Sequence, residues 1–233
     1  MKKVEAFQGK DVEASKMKDM QISQMQDAEV VSISDTLKKI HEMAKIHFLR
    51  DGFQKASLRQ IVKDAGFTQG AFYGYYQSKE ELFCDLVQET ANGIFEILHQ
   101  ISAKMDQYPE ESRMLHMSEC YMNGLPLLVD FLFEHHEELI LLMQKSEGTR
   151  YANFMGQIQR TSQSNTERRI KTAKDPLPLH PYSLQAIMDS YYSAVFHILL
   201  SDLSKEDTYQ AMYDIQKFYQ IGMMGLLKDS AKE

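Results

Sequence analysis

Cysteine is nearly missing from this sequence: Cys84 and Cys120 are the only two in 233 residues, far apart and without CxxC spacing. That excludes a disulfide framework and leads us to expect a reduced, cytoplasmic setting. No run of about 18 apolar residues occurs, so no membrane-spanning helix is expected. The first residues lack the apolar core of a signal peptide. Catalytic signatures are missing too: GxSxG, HExxH, a Walker loop and a glycine-rich dinucleotide turn are all absent. Glu110-Glu111 and Glu137-Glu138 are adjacent acids at helix starts, better explained as partners of the helix dipole than as an acid/base pair. His135-His136 cannot share a helical face, which makes poor metal spacing. We therefore expect no enzyme, no cofactor and no metal site.

Hydrophobic residues make up 43% of the chain and charged residues 25%, which suits an ordinary globular protein. Net charge is −7, at first sight unfavourable for a nucleic-acid partner. The distribution reverses that impression. Residues 33–79 hold eight Lys/Arg against four Asp/Glu, whereas residues 80–233 hold 13 against 23. A basic module on an acidic trunk is the layout of a protein that binds duplex DNA and can leave it.

Residues 1–32 are polar, rich in Met and Gln and without a clean apolar period, so we expect a disordered or loosely helical extension. From Ile33 the pattern changes. Ile33, Leu37, Ile40, Ala44 and Phe48 form one stripe of an amphipathic helix, which Asp51-Gly52 ends and against which Phe53 packs back. The organising stretch follows, SLRQIVKDAGFTQGAFYGYYQSK over residues 57–79. Ser57 with Gln60 reads as a capping box, Ile61 and Ala65 share a face, and Gly66 supplies the left-handed position that ends the helix. Thr68 caps a second helix, expected as far as Tyr76, with Phe72 and Tyr76 inward and Gly70, Ala71, Tyr73 and Gly74 outward. Ser78 with Glu81 caps a third. Two short helices around a glycine turn make a helix-turn-helix, whose second helix enters the major groove.

These residues, together with Ile40, Ala44, Phe48, Gly52-Phe53, Tyr73, Tyr76, Ser78-Lys79-Glu80 and Leu82, resemble the tetracycline-repressor-like (TetR) family of bacterial transcription regulators over roughly residues 33–87. His47, Ala56, Phe72, Gly74-Tyr75 and Gln77 depart from the family's usual residues, and the changes in the second helix put the operator sequence in doubt. By the chemistry of base edges, Gln69 suits adenine and Ala71 a thymine methyl. The resemblance adds Arg59 at a position that can reach a base, where arginine suits guanine. The base-facing set is then Arg59, Gln69, Gly70, Ala71 and Tyr73. Ser57, Thr68, Tyr75 and Lys79, with Tyr73 as well, match family positions that usually touch phosphates, contacts that fix register rather than sequence.

The rest reads as helical. A long helix is expected from Glu80 to about Met105, broken by Tyr108-Pro109. Pro109 starts another, Asn123-Gly124 ends it, Pro126 opens the next, and a longer helix follows from near Glu137, interrupted at Gly148 and Gly156. Three prolines between Lys174 and Pro181 mark a linker. Residues 183–202 form a helix with two adjoining apolar faces and residues 205–228 a second apolar helix, and we expect the two to pair two copies as a homodimer. Tyr121, Met122, Phe131, Glu147, Tyr151, Phe154 and Tyr191 are the candidate lining of an effector pocket, since Met and aromatic side chains suit an adaptable apolar cavity.

The expected fold is thus all-α: an extension (1–32), a three-helix helix-turn-helix domain (33–79), and a helical effector-binding and dimerisation domain (80–233). The expected function is a sequence-specific transcriptional regulator, a repressor on a palindromic duplex released by a small organic effector, with no membrane partner. A helical adaptor that has lost DNA reading is the rival, favoured by the sparse Gly70/Ala71/Gly74 face.

Overall fold

The computed structural model describes residues 35–172 and 179–230. The expected extension over 1–32 lies outside the described residues, as does the linker as far as residue 178. Among the described residues there is no strand, and every regular element is helical. Contacts divide the chain into two units: one takes residues up to His47 with Ser57–Gln77, the other takes Phe48–Ala56 with everything from Ser78 onward.

The smaller unit, the head, holds the first part of α1 (residues 35–55), α2 (Leu58–Asp64) and α3 (Gln69–Phe72). Its core is the expected stripe: Ile40 and Ala44 from α1, Ile61, Val62 and Ala65 from α2, and Phe72 and Tyr76 beyond the turn are all buried. Two polar contacts complete it. His47 Nε2 lies 2.8 Å from Asp64 Oδ2, and His41 Nε2 lies 2.6 Å from the Tyr76 hydroxyl.

The larger unit, the body, contains α4 (Lys79–Asp106), a single 3-10 turn (Glu110–Ser112), α5 (Arg113–Glu134), α6 (His136–Gln144), α7 (Phe154–Thr172), α8 (Pro181–Leu199) and α9 (Lys205–Ser230). Residues 48–56, the end of α1, pack with it. Phe48, Phe53 and Phe83 form a cluster with centroids 5.2–6.0 Å apart, Phe83 meeting the other two rings edge to face. α4 and α5 approach closely because glycine stands at two contacts. A Cβ on Gly93 would overlap the Phe131 ring, and one on Gly124 would sit 2.5 Å from Ile101.

Three expectations about helix limits in the body require correction. α5 is one continuous helix through Gly124 and Pro126. Proline there forfeits one backbone hydrogen bond, but Leu125, Val129 and Leu132 are buried around it, so tertiary burial holds the helix together. α6, by contrast, is short. It stops at Lys145, and residues 145–153 form a turn with Gly148 at φ +88°. The Ser146 hydroxyl donates to the carbonyls of Leu142 (2.8 Å) and Tyr151 (3.0 Å), and the Thr149 hydroxyl donates to Ser146 O, so side chains replace the missing helical bonds. α8 begins at Pro181, where the His180 ring caps the Tyr182 N–H, and ends at Leu199.

Candidate nucleic-acid interface

The α2–α3 turn is built as the sequence dictates. Ser57 Oγ accepts from the Gln60 N–H, although Gln60's own amide turns to Asp64 (2.7 Å) instead of closing the box. At the other end Gly66 takes φ +83° and donates to Lys63 O, while Phe67 donates to Val62 O. That pair of bonds is a Schellman stop, satisfying carbonyls that the helix end would leave open. Thr68 Oγ1 then accepts the Ala71 N–H at 3.2 Å and starts α3.

α3 is shorter than the sequence suggests. It covers Gln69–Phe72, and the chain then winds through tighter turns, Gly74 N–H reaching Ala71 O and Tyr75 N–H reaching Phe72 O. Two glycines with little intrinsic helix preference account for the early end. The division of faces is nonetheless as the spacing required. Phe72 (0% exposed) and Tyr76 (6%) anchor the segment inward, and Gln69, Gly70, Ala71, Tyr73 and Tyr75 stand in solvent. Ser57, Arg59, Lys63 and Thr68 are exposed as well. The head therefore carries a small outward strip with one uncharged amide, a methyl, two phenols and nearby cations. Such a strip offers a donor/acceptor pair and a methyl for base edges, and hydroxyls and charge for phosphates.

Lys79 belongs to a different arrangement. Its ammonium donates to the carbonyl oxygens of Phe53 (2.6 Å), Ala56 (2.9 Å) and Gln54 (3.3 Å), and partial burial pulls its pKa down. All three protons serve the end of α1, so a phosphate could be met only by giving one up.

The expected pocket residues are scattered. Tyr121 and Tyr191 line recesses in the body. Met122 is half-buried on α5 away from them. Phe131 fills the space over Gly93, Phe154 is buried against Phe95, and Tyr151 and Glu147 sit in the α6–α7 turn. What the sequence reading missed is Tyr192, Gln216, Ser162 and Phe196, which line one of the recesses. Tyr192 and Phe196 lay on a helical face assigned to dimerisation, and the 3.6-residue period cannot say which of two faces meets a cavity.

Residues 40–86 match the sequence profile of bacterial regulatory proteins of the tetR family. Over 55 residues the chain is 42% identical to the uncharacterized HTH-type transcriptional regulator YdgC of Bacillus subtilis (strain 168), covering 24% of this chain and 28% of YdgC. It is 32% identical over 112 residues to YvdT of the same organism, an uncharacterized regulator of the same type, covering 47% and 51%. The chain thus spans about half or less of the length of these curated relatives. A crystal structure of a transcriptional regulator (TerR/AcrR family) from Aquifex aeolicus VF5 superposes with a TM-score of 0.51 at 18% identity, covering 80% of this chain and 98% of that one. At that identity the likeness concerns the fold.

Proposed function

We propose that this chain, whose helix-turn-helix head belongs to the tetR family of bacterial regulatory proteins, works as a homodimeric, ligand-released repressor on a palindromic duplex. The observation that carries the reading is the outward strip around α3, held in solvent by two buried aromatic anchors and fixed by a Schellman stop before it and a threonine cap at its start. Arg59, Gln69, Gly70, Ala71 and Tyr73 face base edges. Ser57, Thr68 and Tyr75 meet phosphates. The exposed glycines let the backbone come near the groove floor, which offsets their roughly 0.5–1 kcal/mol cost to the helix. Lys79 acts as a positioning residue through the end of α1.

For the dimer, the support is the far face of α9. Phe218 (72% exposed) and Ile221 (64%) project from it, and nothing stands within 4 Å of a Cβ added at Gly222 or Gly225. These four positions follow i, i+3, i+4, i+7 spacing, one stripe along a helix. For ligand release, the support is the pair of apolar recesses inside the body. A molecule bound there shifts the equilibrium between body conformations and so the spacing of two reading heads, in proportion to its preference for one of them.

Selection of duplexes from a random pool by the full chain tests this. A palindromic consensus whose binding falls steeply with salt is the expected outcome. Absence of enrichment at low salt sinks it and favours the rival, a helical adaptor, for which the one-turn length of α3 and the outward Gly70 and Gly74 already speak.

A further inference from the structure

The two recesses of the body, about 770 and 550 Å³ including the parts open to solvent, share four wall residues: Tyr121, Tyr191, Tyr192 and Gln216. Among the described residues, no Lys, Arg, Asp, Glu or His lines either one. The rest of their walls is mainly aliphatic, with Leu125, Leu128 and Leu199 in one and Leu184, Ile187 and Met223 in the other. A buried charge without a partner costs several kcal/mol, so such walls reject ions far more strongly than they select among neutral shapes.

The polar groups in the shared wall are mostly occupied. Gln216 Oε1 accepts from the Tyr191 hydroxyl at 2.9 Å, and its Nε2 donates to Ser118 Oγ at 3.4 Å. Tyr192 interacts with Ser162. Burial raises the pKa of Tyr121, Tyr191 and Tyr192, so all three are neutral phenols at physiological pH. Tyr121 differs from the other two: its hydroxyl takes no hydrogen bond among the described residues, and the residue lines both recesses. The buried guanidinium of Arg169, whose charge acts on Tyr121, is bound to Asp106 Oδ1 (3.1 Å) and to the Ser102 hydroxyl (2.7 Å) and carbonyl (3.1 Å). An anionic ligand would have to compete with Asp106 for it.

We propose that the effector is an uncharged, predominantly apolar molecule with one hydroxyl or carbonyl group, and that this group hydrogen-bonds to the Tyr121 hydroxyl. The proposal rests on reading the body as the effector domain and adds the chemical class and the anchoring residue. A neutral phenol can donate or accept, which suits either group, and one polar contact in an apolar wall fixes orientation without the cost of burying an ion.

The test uses the full chain at neutral pH with decan-1-ol, decanoate and decylammonium, equal in chain length and different in head charge. Calorimetric titration should show decan-1-ol bound at least tenfold more tightly than either ion. Tyr121→Phe should weaken decan-1-ol by about threefold to tenfold, the worth of one neutral hydrogen bond, and should leave binding of naphthalene, which has no hydrogen-bonding group, unchanged. Either ion binding as well as the alcohol overturns the proposal. So does equal alcohol affinity in the two proteins, or no binding of any probe. Duplex selection on the same preparation keeps the two readings apart: a palindrome enriched while an ion wins the titration overturns the ligand class alone.

Discussion

The Lys79 ammonium lies 4.5 Å over the ring centroid of Phe53 and donates to the carbonyl oxygen of that same residue. One cation thereby holds both the backbone and the side chain of the residue after Gly52, which has φ +75°. The Phe53 N–H is also spoken for, donating to Lys145 O at 2.9 Å. Positive charge at the carbonyl end of a helix is favourable in itself, and here three directed bonds add to it.

Lys79→Met should therefore destabilise the protein by about 2 kcal/mol in urea unfolding, in line with hydrogen bonds to a charged group. If Lys79 also met a phosphate, the slope of log affinity for DNA against log salt would fall by about one unit. The expected result is a stability loss with that slope unchanged.

Asp64 gives the head a pH dependence. The hydrogen bond from His47 is the largest influence and holds the Asp64 carboxyl below its ordinary value, with Gln60 adding to it against the opposing effect of burial. A carboxyl with a depressed folded pKa binds its proton more readily in the unfolded chain. Its contribution is present in full above the unfolded pKa, about 3.9, and is lost as pH falls through the lower folded value. Urea midpoints followed downward from pH 5 should drop more in the native protein than in Asp64→Asn. Parallel curves would show that the pair does not couple to folding.

How far this was legible in the sequence differs between the two units. In the head, two caps, a glycine stop and an i, i+4 aromatic pair agree with one another, and local agreement of that kind specifies local structure. Phe72 and Tyr76 were assigned inward from spacing alone and are buried. In the body the signals conflict. Pro126 read as a helix start, yet burial of its neighbours carries α5 straight through. MQKSEGTRYANF read as part of a longer helix interrupted at Gly148, yet the hydroxyls of Ser146 and Thr149 and the left-handed Gly148 fold the whole stretch into a turn. Local propensity loses there to tertiary burial and to side-chain hydrogen bonds, neither visible in the period of apolar residues. The recess was missed for the same reason: only two of seven pocket candidates, Tyr121 and Tyr191, line it.

Close contact of α4 with α5 predicts an asymmetric pair of variants. Gly93→Ala places a methyl where the Phe131 ring now lies and should cost about 1–3 kcal/mol by overpacking. Phe131→Leu alone loses ring contacts and is destabilising as well. Combined, the two should be less harmful than the sum of their separate effects, a coupling that denaturant titration of the double-mutant cycle would expose. Additive losses would mean that the helices simply move apart.

Arg59 is exposed on α2, in the same unit as the α3 strip. If it reads guanine, Arg59→Ala should cost about 1–3 kcal/mol at one base pair in each half-site and leave the other positions as selective as before. A uniform loss across all sequences would make it a phosphate contact instead. Competition binding against single-base variants of the selected duplex distinguishes the two.

The outer stripe of α9 supplies the last prediction. Phe218 and Ile221 are mostly exposed in one chain, so Phe218→Asp with Ile221→Asp removes no core contact and should leave the helical circular dichroism signal and the unfolding midpoint of the monomer intact. Buried against a second copy, the same positions would place two carboxylates per chain in an apolar seam, at a cost of several kcal/mol. Sedimentation should then report a monomer where the native chain sediments as a dimer. Affinity for the full palindrome should fall to nearly that for a single half-site, because two tethered heads gain from effective concentration and one does not. A variant that remains dimeric would move the interface to another face of α8 and α9, whereas a native chain that is already monomeric would remove the dimer from the proposed function altogether.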